Sequence, residues 1–214
     1  MDKIALISTP ISEAWPSWLM FVLLLNLILS EVLQPGLVRA SFRATFTKME
    51  RMFGDQSMNI MANLTLNTFR VGTLAMALYA FTYHHAPFSF LTYVYIILII
   101  GGVLAVKALF GWLISYTFEL HRTAALYVPQ YNNLWTILCM LLYPITLLYI
   151  NASEWEFLMW VSMIVIIAFV ALLLFKQLQY FYAGFSSLLY LIVYTVTLEL
   201  VPIGATILAV NQIA

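Results

Sequence analysis

A positively charged side chain, Arg70, lies within an apolar stretch that is long enough to cross a membrane. Asn59, Asn63 and Asn67 precede it at every fourth position, so the three amides and the arginine share one face of a helix. A charge at the centre of a bilayer costs roughly 2.5–3.5 kcal/mol on insertion scales. The arginine is therefore expected to face protein or water, and this stripe is the leading candidate for a functional site.

Two further charges, Lys107 and Glu199, also fall inside apolar runs. Counting about 1.5 Å per helical residue, Arg70 and Lys107 lie at similar depths, about 15 Å and about 14 Å from the ends of their helices. Two buried cations without an anion would be prohibitively costly, so we expect Glu199 to pair with one of them. The sequence predicts a buried polar cluster of Asn63, Asn67, Arg70, Lys107 and Glu199.

Four more residues are expected to support this cluster. Glu31 and Glu119 would complete its cytoplasmic end, Tyr194 belongs to a polar stripe leading to Glu199, and Pro202 removes a backbone hydrogen bond nearby. One interpretation is that the charges hold the helices together, and the other is that they bind an ion or polar ligand. Alternatively, Lys107 could lie less deeply in the membrane, with its ammonium group extending to the cytoplasmic membrane interface.

The composition determines which elements must position these residues. Hydrophobic residues make up 64% of the 214-residue chain and charged residues 8%, against about 45–50% and about 25% in soluble domains. We therefore predict an all-α, polytopic transmembrane bundle forming one integral membrane domain over residues 1–214. The expected spans are residues 15–34, 58–82, 90–116, 131–150, 157–176 and 185–210.

A basic amphipathic segment, residues 37–53, follows the first expected span. Apolar residues recur there at helical spacing, and the segment carries Arg39, Arg43, Lys48 and Arg51. Lysines and arginines concentrate at the odd-numbered joints, which predicts that these joints are cytoplasmic and that both termini are periplasmic. The segment is either a positive-inside loop or a helix that docks anionic lipid or a partner subunit.

No residue pattern indicates catalysis, a metal or a cofactor. The single cysteine, Cys139, excludes an internal disulfide, and the adjacent His84 and His85 are poorly placed for haem or zinc. Phosphate loops, dinucleotide fingerprints and serine elbows are absent from the sequence. We expect no cofactor, no metal and no nucleic-acid partner.

The run from Tyr194 to Pro202 ends in a Leu-Glu-x-x-Pro motif at Leu198, Glu199 and Pro202. With the basic stretch after the first helix and Lys107 in the third, this motif resembles a family of six-helix inner-membrane proteins from Bacteroidota, known as a domain of unknown function. The likeness extends over most of the chain. It implies a bacterial inner membrane protein and carries no reaction or substrate.

Three functions compete. The favoured one is a non-enzymatic accessory or scaffold subunit of a larger membrane complex, because the chain is small and has no soluble domain. The second is a small transporter, channel or lipid-handling protein that uses Arg70, Lys107 and Glu199 for an anionic solute, a proton or a lipid head group. The third, an intramembrane enzyme with Glu199 or His121 as acid or base, ranks last because no nucleophile is positioned.

Overall fold

The computed structural model describes residues 15–46, 59–82, 89–117, 121–151 and 157–181. These residues are helical apart from the turn at 34–36 and the single residues 59 and 89, which precede helices, and none of them forms a strand. The helices are α1 (Trp15–Leu33), α2 (Leu37–Phe46), α3 (Ile60–Thr82), α4 (Phe90–Thr117), α5 (His121–Asn151) and α6 (Phe157–Phe181). The all-α class predicted from the sequence is confirmed for this part of the chain.

Four helices are long and apolar enough to cross a membrane. They are α1, the Phe90–Leu109 part of α4, the Tyr131–Asn151 part of α5 and the Phe157–Lys176 part of α6. The protein is therefore a helical membrane protein. The predicted number of six spans is not reached, because α3 is not among the four and the expected span 185–210 lies outside the described residues.

The helix α3 begins within two residues of the predicted second span and ends with it, but its composition differs from that of the other long helices. Three amide or charged side chains, Asn63, Asn67 and Arg70, reduce its hydropathy. It packs against α1, α4 and α5, and most residues from Phe69 to Ala80 are buried. A helix surrounded by protein needs less apolar surface than one facing lipid, which explains why α3 is long enough to span and yet less apolar.

The ends of α5 and α6 differ from the predicted joints. The predicted fourth span begins at residue 131, but α5 begins at His121 and contains Pro129. Proline within a membrane helix is tolerated where neighbouring groups satisfy the freed carbonyl. In α6, residues 177–181 continue the helix beyond Lys176 instead of forming the expected joint.

The junction between α1 and α2 is built from three residues. Gly36 has a φ of +86°, a conformation that favours glycine, and it turns the chain out of α1. Both carboxylate oxygens of Glu31 accept backbone N–H groups, one from Gly36 at 2.6 Å and the other from Val38 at 2.9 Å. A carboxylate at a helix N-terminus satisfies unpaired amides and complements the helix dipole, so Glu31 fixes the start of α2.

The centre of the bundle is a close crossing of α1 and α3. A Cβ at Gly72 would overlap the side chain of Leu23, so the glycine allows the two helices to approach. The Tyr143 hydroxyl of α5 donates to the Met20 carbonyl of α1 at 2.9 Å, and Met20 is fully buried. The core thus brings α1, α3 and α5 together around the segment that carries Arg70.

Candidate functional site

Arg70 is buried between α3 and α5 with only 5% of its surface exposed. Its Nε and Nη2 atoms donate to the Thr136 hydroxyl at 2.9 and 2.6 Å, and its Nη1 atom donates to Asn67 Oδ1 at 2.7 Å. The first two bonds join α3 to α5, and the third lies within α3 one turn away. The guanidinium fork is therefore held by neutral oxygen atoms from two helices.

The hydroxyl of Thr136 uses its full hydrogen-bonding capacity. It donates to the Asn132 carbonyl at 2.9 Å while it accepts both bonds from Arg70. The residue is completely buried. Beside it, Cys139 donates its Sγ to the Arg70 carbonyl at 3.5 Å, which adds a second link from α5 to the same turn of α3.

The expected carboxylate partner of Arg70 is not found within the described ranges. Glu31 is the single acidic residue in them, and its two oxygens accept the amides at the start of α2. Glu199, the predicted partner, lies outside the described residues. The need for a counter-charge inferred from the sequence is met in the described part by polar oxygens alone, which stabilise the guanidinium without cancelling its charge.

Lys107 of α4 is half-buried and reaches Tyr131 of α5. Its Nζ donates to the Tyr131 hydroxyl and lies 3.9 Å from the centre of the Tyr131 ring, a cation–π distance. The contact is to a protein side chain rather than to water at the interface. Tyr131 and Thr136 are five residues apart on α5, so the two cations contact this helix at levels about 7.5 Å apart along its axis.

The asparagines of α3 are less buried than the sequence predicts. Asn63 is half-buried, while Asn59 and Asn67 are exposed. Asn67 contacts Arg70 through its side-chain carbonyl, but the residue as a whole is exposed at the protein surface rather than buried. The reason is that α3 is covered on all sides only from about Phe69 onward.

The basic residues of α2 face away from the bundle. Leu37 and Ser41 are buried, and the Ser41 hydroxyl lies 3.2 Å from Asn133 Oδ1 of α5. Arg39 and Arg43 are exposed on the other side, next to Phe42, which is 40% exposed. Three predicted site residues near the joints and three of the last expected helix lie outside the described residues: Lys48, Arg51, Glu119, Tyr194, Glu199 and Pro202.

Sequence reasoning missed the contribution of α5 to this site. Three residues of α5 contact the two cations or their helices, and none was predicted as a site residue: Thr136, Cys139 and Tyr131. A signal was present, because polar residues cluster at Asn132, Asn133 and Thr136 at the start of an apolar run. The face of a helix that each of them occupies can be read from spacing, but the neighbouring helix that they meet cannot.

Among the described residues, three buried polar atoms have no hydrogen-bond partner: Thr73 Oγ1, Thr146 Oγ1 and Trp135 Nε1. Trp135 packs against Tyr131 and Phe169, with ring centres 5.9 and 5.2 Å away. No group of three potential metal-ligating side chains forms in the part of the chain that the structure describes. The site has hydrogen-bond donors and positive charge, which suits an anionic or acceptor-rich group, and its geometry positions no nucleophile.

Comparison with known proteins identifies a family model. The model described as "Domain of unknown function (DUF4271)" matches residues 17–208, which is most of the chain. No curated protein and no solved structure matches the chain.

Proposed function

The chain belongs to the family described as Domain of unknown function (DUF4271), and from that premise we propose that it is a non-enzymatic accessory or scaffold subunit of a larger membrane complex. The family description assigns no activity, so the proposal rests on this chain's own residues. The observation that carries it is the contrast between Arg70, which makes its hydrogen bonds inside the bundle, and the basic residues of α2, which are exposed.

The buried, charged side chain of Arg70 holds α3 and α5 together. Three of its N–H groups are used by Thr136 and Asn67, and the side chain is 5% exposed. A residue that moves a solute through a membrane has to exchange partners with that solute. An arginine closed between two helices supports a structural role for the core.

The surface offers places for partners. The helix α2 is fixed at its start by Glu31 and at its middle by the contact between Ser41 and Asn133. It presents Arg39, Phe42 and Arg43 away from the bundle. A basic, amphipathic helix held to the bundle at its start and middle supports docking of anionic lipids or an acidic subunit, because its position is set before binding.

Co-purification tests the proposal. The chain would be tagged at its native expression level and extracted with a mild detergent. We expect a stoichiometric partner membrane protein, and we expect Arg39→Glu to lower its recovery while leaving the amount of folded protein unchanged. Leu98→Ala, a change at an exposed apolar residue of α4, is the matched control. Recovery of the wild-type chain alone under several mild detergents would contradict the proposal.

A second candidate function is a small transporter, channel or lipid-handling protein. It is favoured by the buried positive charge of Arg70, which meets no carboxylate among the described residues. An anionic solute, a proton-carrying group or a lipid head group bound by Arg70, Lys107 and Glu199 would supply the missing charge. Anion flux or lipid movement in proteoliposomes, lost on Lys107→Gln in a folded protein, would support this function over the first.

We also propose the finer features of topology and location. These are six spans, both termini in the periplasm, and residence in the inner membrane of a bacterium of the Bacteroidota, where the cytoplasmic leaflet supplies anionic lipid. The distribution of lysine and arginine supports the orientation. Reporter fusions active only in the periplasm or only in the cytoplasm, placed at each joint, test both the number of spans and the orientation.

A further inference from the structure

The first half of α3 has one face that its neighbours leave open. Ile60, Leu64, Asn67 and Thr68 are exposed and Asn63 is half-buried, and Leu64 retains 62% of its accessible surface. These five residues, called here the α3 open face, lie on one side of the helix by their spacing. The second half of the same helix, from Gly72 to Ala80, is almost completely covered. The open face is therefore confined to the part that precedes Arg70.

The chemistry of the α3 open face is that of a hydrogen-bond donor. The Asn67 carbonyl already accepts from Arg70 Nη1, which leaves the Asn67 NH2 group as the part that faces outward, with no hydrogen bond in the described structure. The Asn63 amide side chain also makes none there. The positive charge of Arg70, which bonds to the Asn67 carbonyl, polarises this amide and makes its NH2 group a stronger donor. The Thr68 hydroxyl adds no donor, because it donates to the Leu64 carbonyl of its own helix at 3.0 Å.

The depth of Asn67 distinguishes between two kinds of occupant. The backbone N–H of Asn59 donates to Gln34 Oε1 at 3.2 Å, which puts the start of α3 beside the α1–α2 junction. Asn67 lies about 12 Å further along the helix. In the proposed topology the α1–α2 junction lies at the cytoplasmic interface, so Asn67 is about 12 Å within a half-core of about 15 Å and a phospholipid head group at the interface does not reach it. A transmembrane helix reaches it, and the flanking Ile60 and Leu64 supply apolar surface for helix packing.

We infer that the α3 open face is the docking site for a transmembrane helix of a partner subunit that carries a carboxylate side chain level with Asn67. This inference rests on the proposed function as a subunit and names the surface and the partner chemistry. Unpaired amides in a membrane helix commonly bond across a helix interface, and a carboxylate complements both the NH2 donors and the positive charge of Arg70. A second copy of this chain docked through the same face fits less well, since it would bring two such positive regions together.

The test uses synthetic transmembrane helices as the probe. Polyleucine peptides with a single Glu, Leu or Lys about eight residues from one end would be mixed with the full chain in phosphatidylcholine vesicles, and association would be followed by fluorescence energy transfer. We expect the Glu peptide to bind about fivefold more tightly than the Leu peptide, which corresponds to about 1 kcal/mol. Asn67→Leu and Asn63→Leu should each remove most of that preference.

A matched control and a charge reversal sharpen the result. Asn26→Leu on α1 changes an asparagine whose amide donates to its own helix at Val22, so it should leave the preference unchanged. Asn67→Asp keeps an oxygen for Arg70 but removes the outward donor, and it should shift the preference from the Glu peptide to the Lys peptide. Because this variant retains the internal bond, it protects the test against misfolding of Asn67→Leu.

Equal binding of the Glu and Leu peptides would overturn the inference. So would an association that depends on adding anionic lipid rather than on the peptide side chain, or self-association of the chain that excludes all peptides. None of these results bears on co-purification of a native partner. A partner recovered equally with wild type and Asn67→Asp would refute this surface and leave the subunit function standing. Specific binding of the Glu peptide without recovery of any native partner would support this surface and contradict the subunit function.

Discussion

The guanidinium of Arg70 is stabilised by neutral partners, and this determines how its neighbours respond to substitution. Thr136 accepts two of its hydrogen bonds in a fully buried position. Removal of one partner from a buried polar pair leaves the other with its desolvation cost uncompensated. Substitution of the uncharged acceptor, Thr136, is therefore expected to lower the free energy of unfolding substantially, because it leaves the buried donors of Arg70 without a partner.

Thr136→Val keeps the shape of the side chain and deletes the acceptor. We expect a loss of about 1–3 kcal/mol in the free energy of unfolding, since two donors of a charged group lose their partner. Reversible unfolding in mixed detergent micelles, followed by circular dichroism, measures the difference. Thr136→Ser retains the hydroxyl and should lie close to wild type.

The matched control for this change is Thr68→Val on α3. Thr68 is exposed, and its hydroxyl bonds only to the Leu64 carbonyl of the same helix. We expect a change below about 0.5 kcal/mol, as for surface substitutions in general. If the two valine variants were equally stable, the hydrogen bonds to Arg70 would not contribute to folding.

At the scale of the elements, two local contacts determine how neighbouring helices are placed. Glu31 fixes α2 at the end of α1, and Gly72 allows α1 to cross α3 closely. The first contact is electrostatic and acts on backbone amides, while the second is steric. Each can be altered separately, because Glu31 and Gly72 are on different helices and make no common contact in the described structure.

Gly72→Ala should destabilise the crossing of α1 and α3. The added methyl group would overlap Leu23, which is 4% exposed and has little room to move. We expect a loss of about 1–3 kcal/mol, typical of overpacking, measured as a lower thermal midpoint in detergent. Gly101→Ala is the control, because a Cβ there meets no atom within 4 Å. Partial recovery in the Gly72→Ala, Leu23→Ala double variant would attribute the effect to this contact.

Glu31→Ala should loosen α2 without unfolding the bundle. The change removes the acceptor for the Gly36 and Val38 amides, and loss of a helix cap costs about 0.5–2 kcal/mol. Hydrogen exchange of residues 36–43 should accelerate, while exchange in α3 should not change. Glu31→Gln keeps one acceptor oxygen and should give an intermediate rate. Uniform acceleration along the whole chain would show instead that Glu31 supports global stability.

For the whole molecule, a helix that is well covered by its neighbours, α3, lacks a segment as apolar as those of the four candidate membrane spans in the described structure. The helices α4 and α6 have a large share of their residues exposed, whereas α3 packs against α1, α4 and α5 and carries Arg70. This distribution inverts the pattern of a soluble protein, because lipid rather than water surrounds the outer helices. In the proposed six-span topology, α3 therefore depends on its neighbours to remain within the membrane.

Isolated helices test this dependence. In an insertion assay with single segments placed in a host protein, Phe157–Lys176 should insert efficiently and Ile60–Thr82 poorly. Arg70→Leu should increase insertion of the second segment by an amount equivalent to about 2.5 kcal/mol or more, the cost of a central arginine. The segment from α6 contains no arginine to replace, so the control is Thr73→Leu, a change to leucine at an uncharged residue of α3. Efficient insertion of wild-type α3 alone would contradict the role given to its neighbours.

Apolar periodicity and charge determined the membrane class, the helical elements and most of their boundaries, while the family resemblance came from the short motif that ends at Pro202 together with the basic stretch and Lys107. They also selected Arg70 and Lys107, because a charge in an apolar run stands out without any knowledge of its surroundings. Only the tertiary structure decided that both cations contact α5, that Thr136 and Tyr131 receive them, and that Asn67 lies at the surface. The physical reason is that spacing along a helix fixes the direction of each side chain, whereas its partner depends on how separate helices pack, and that packing is a long-range property of the whole bundle.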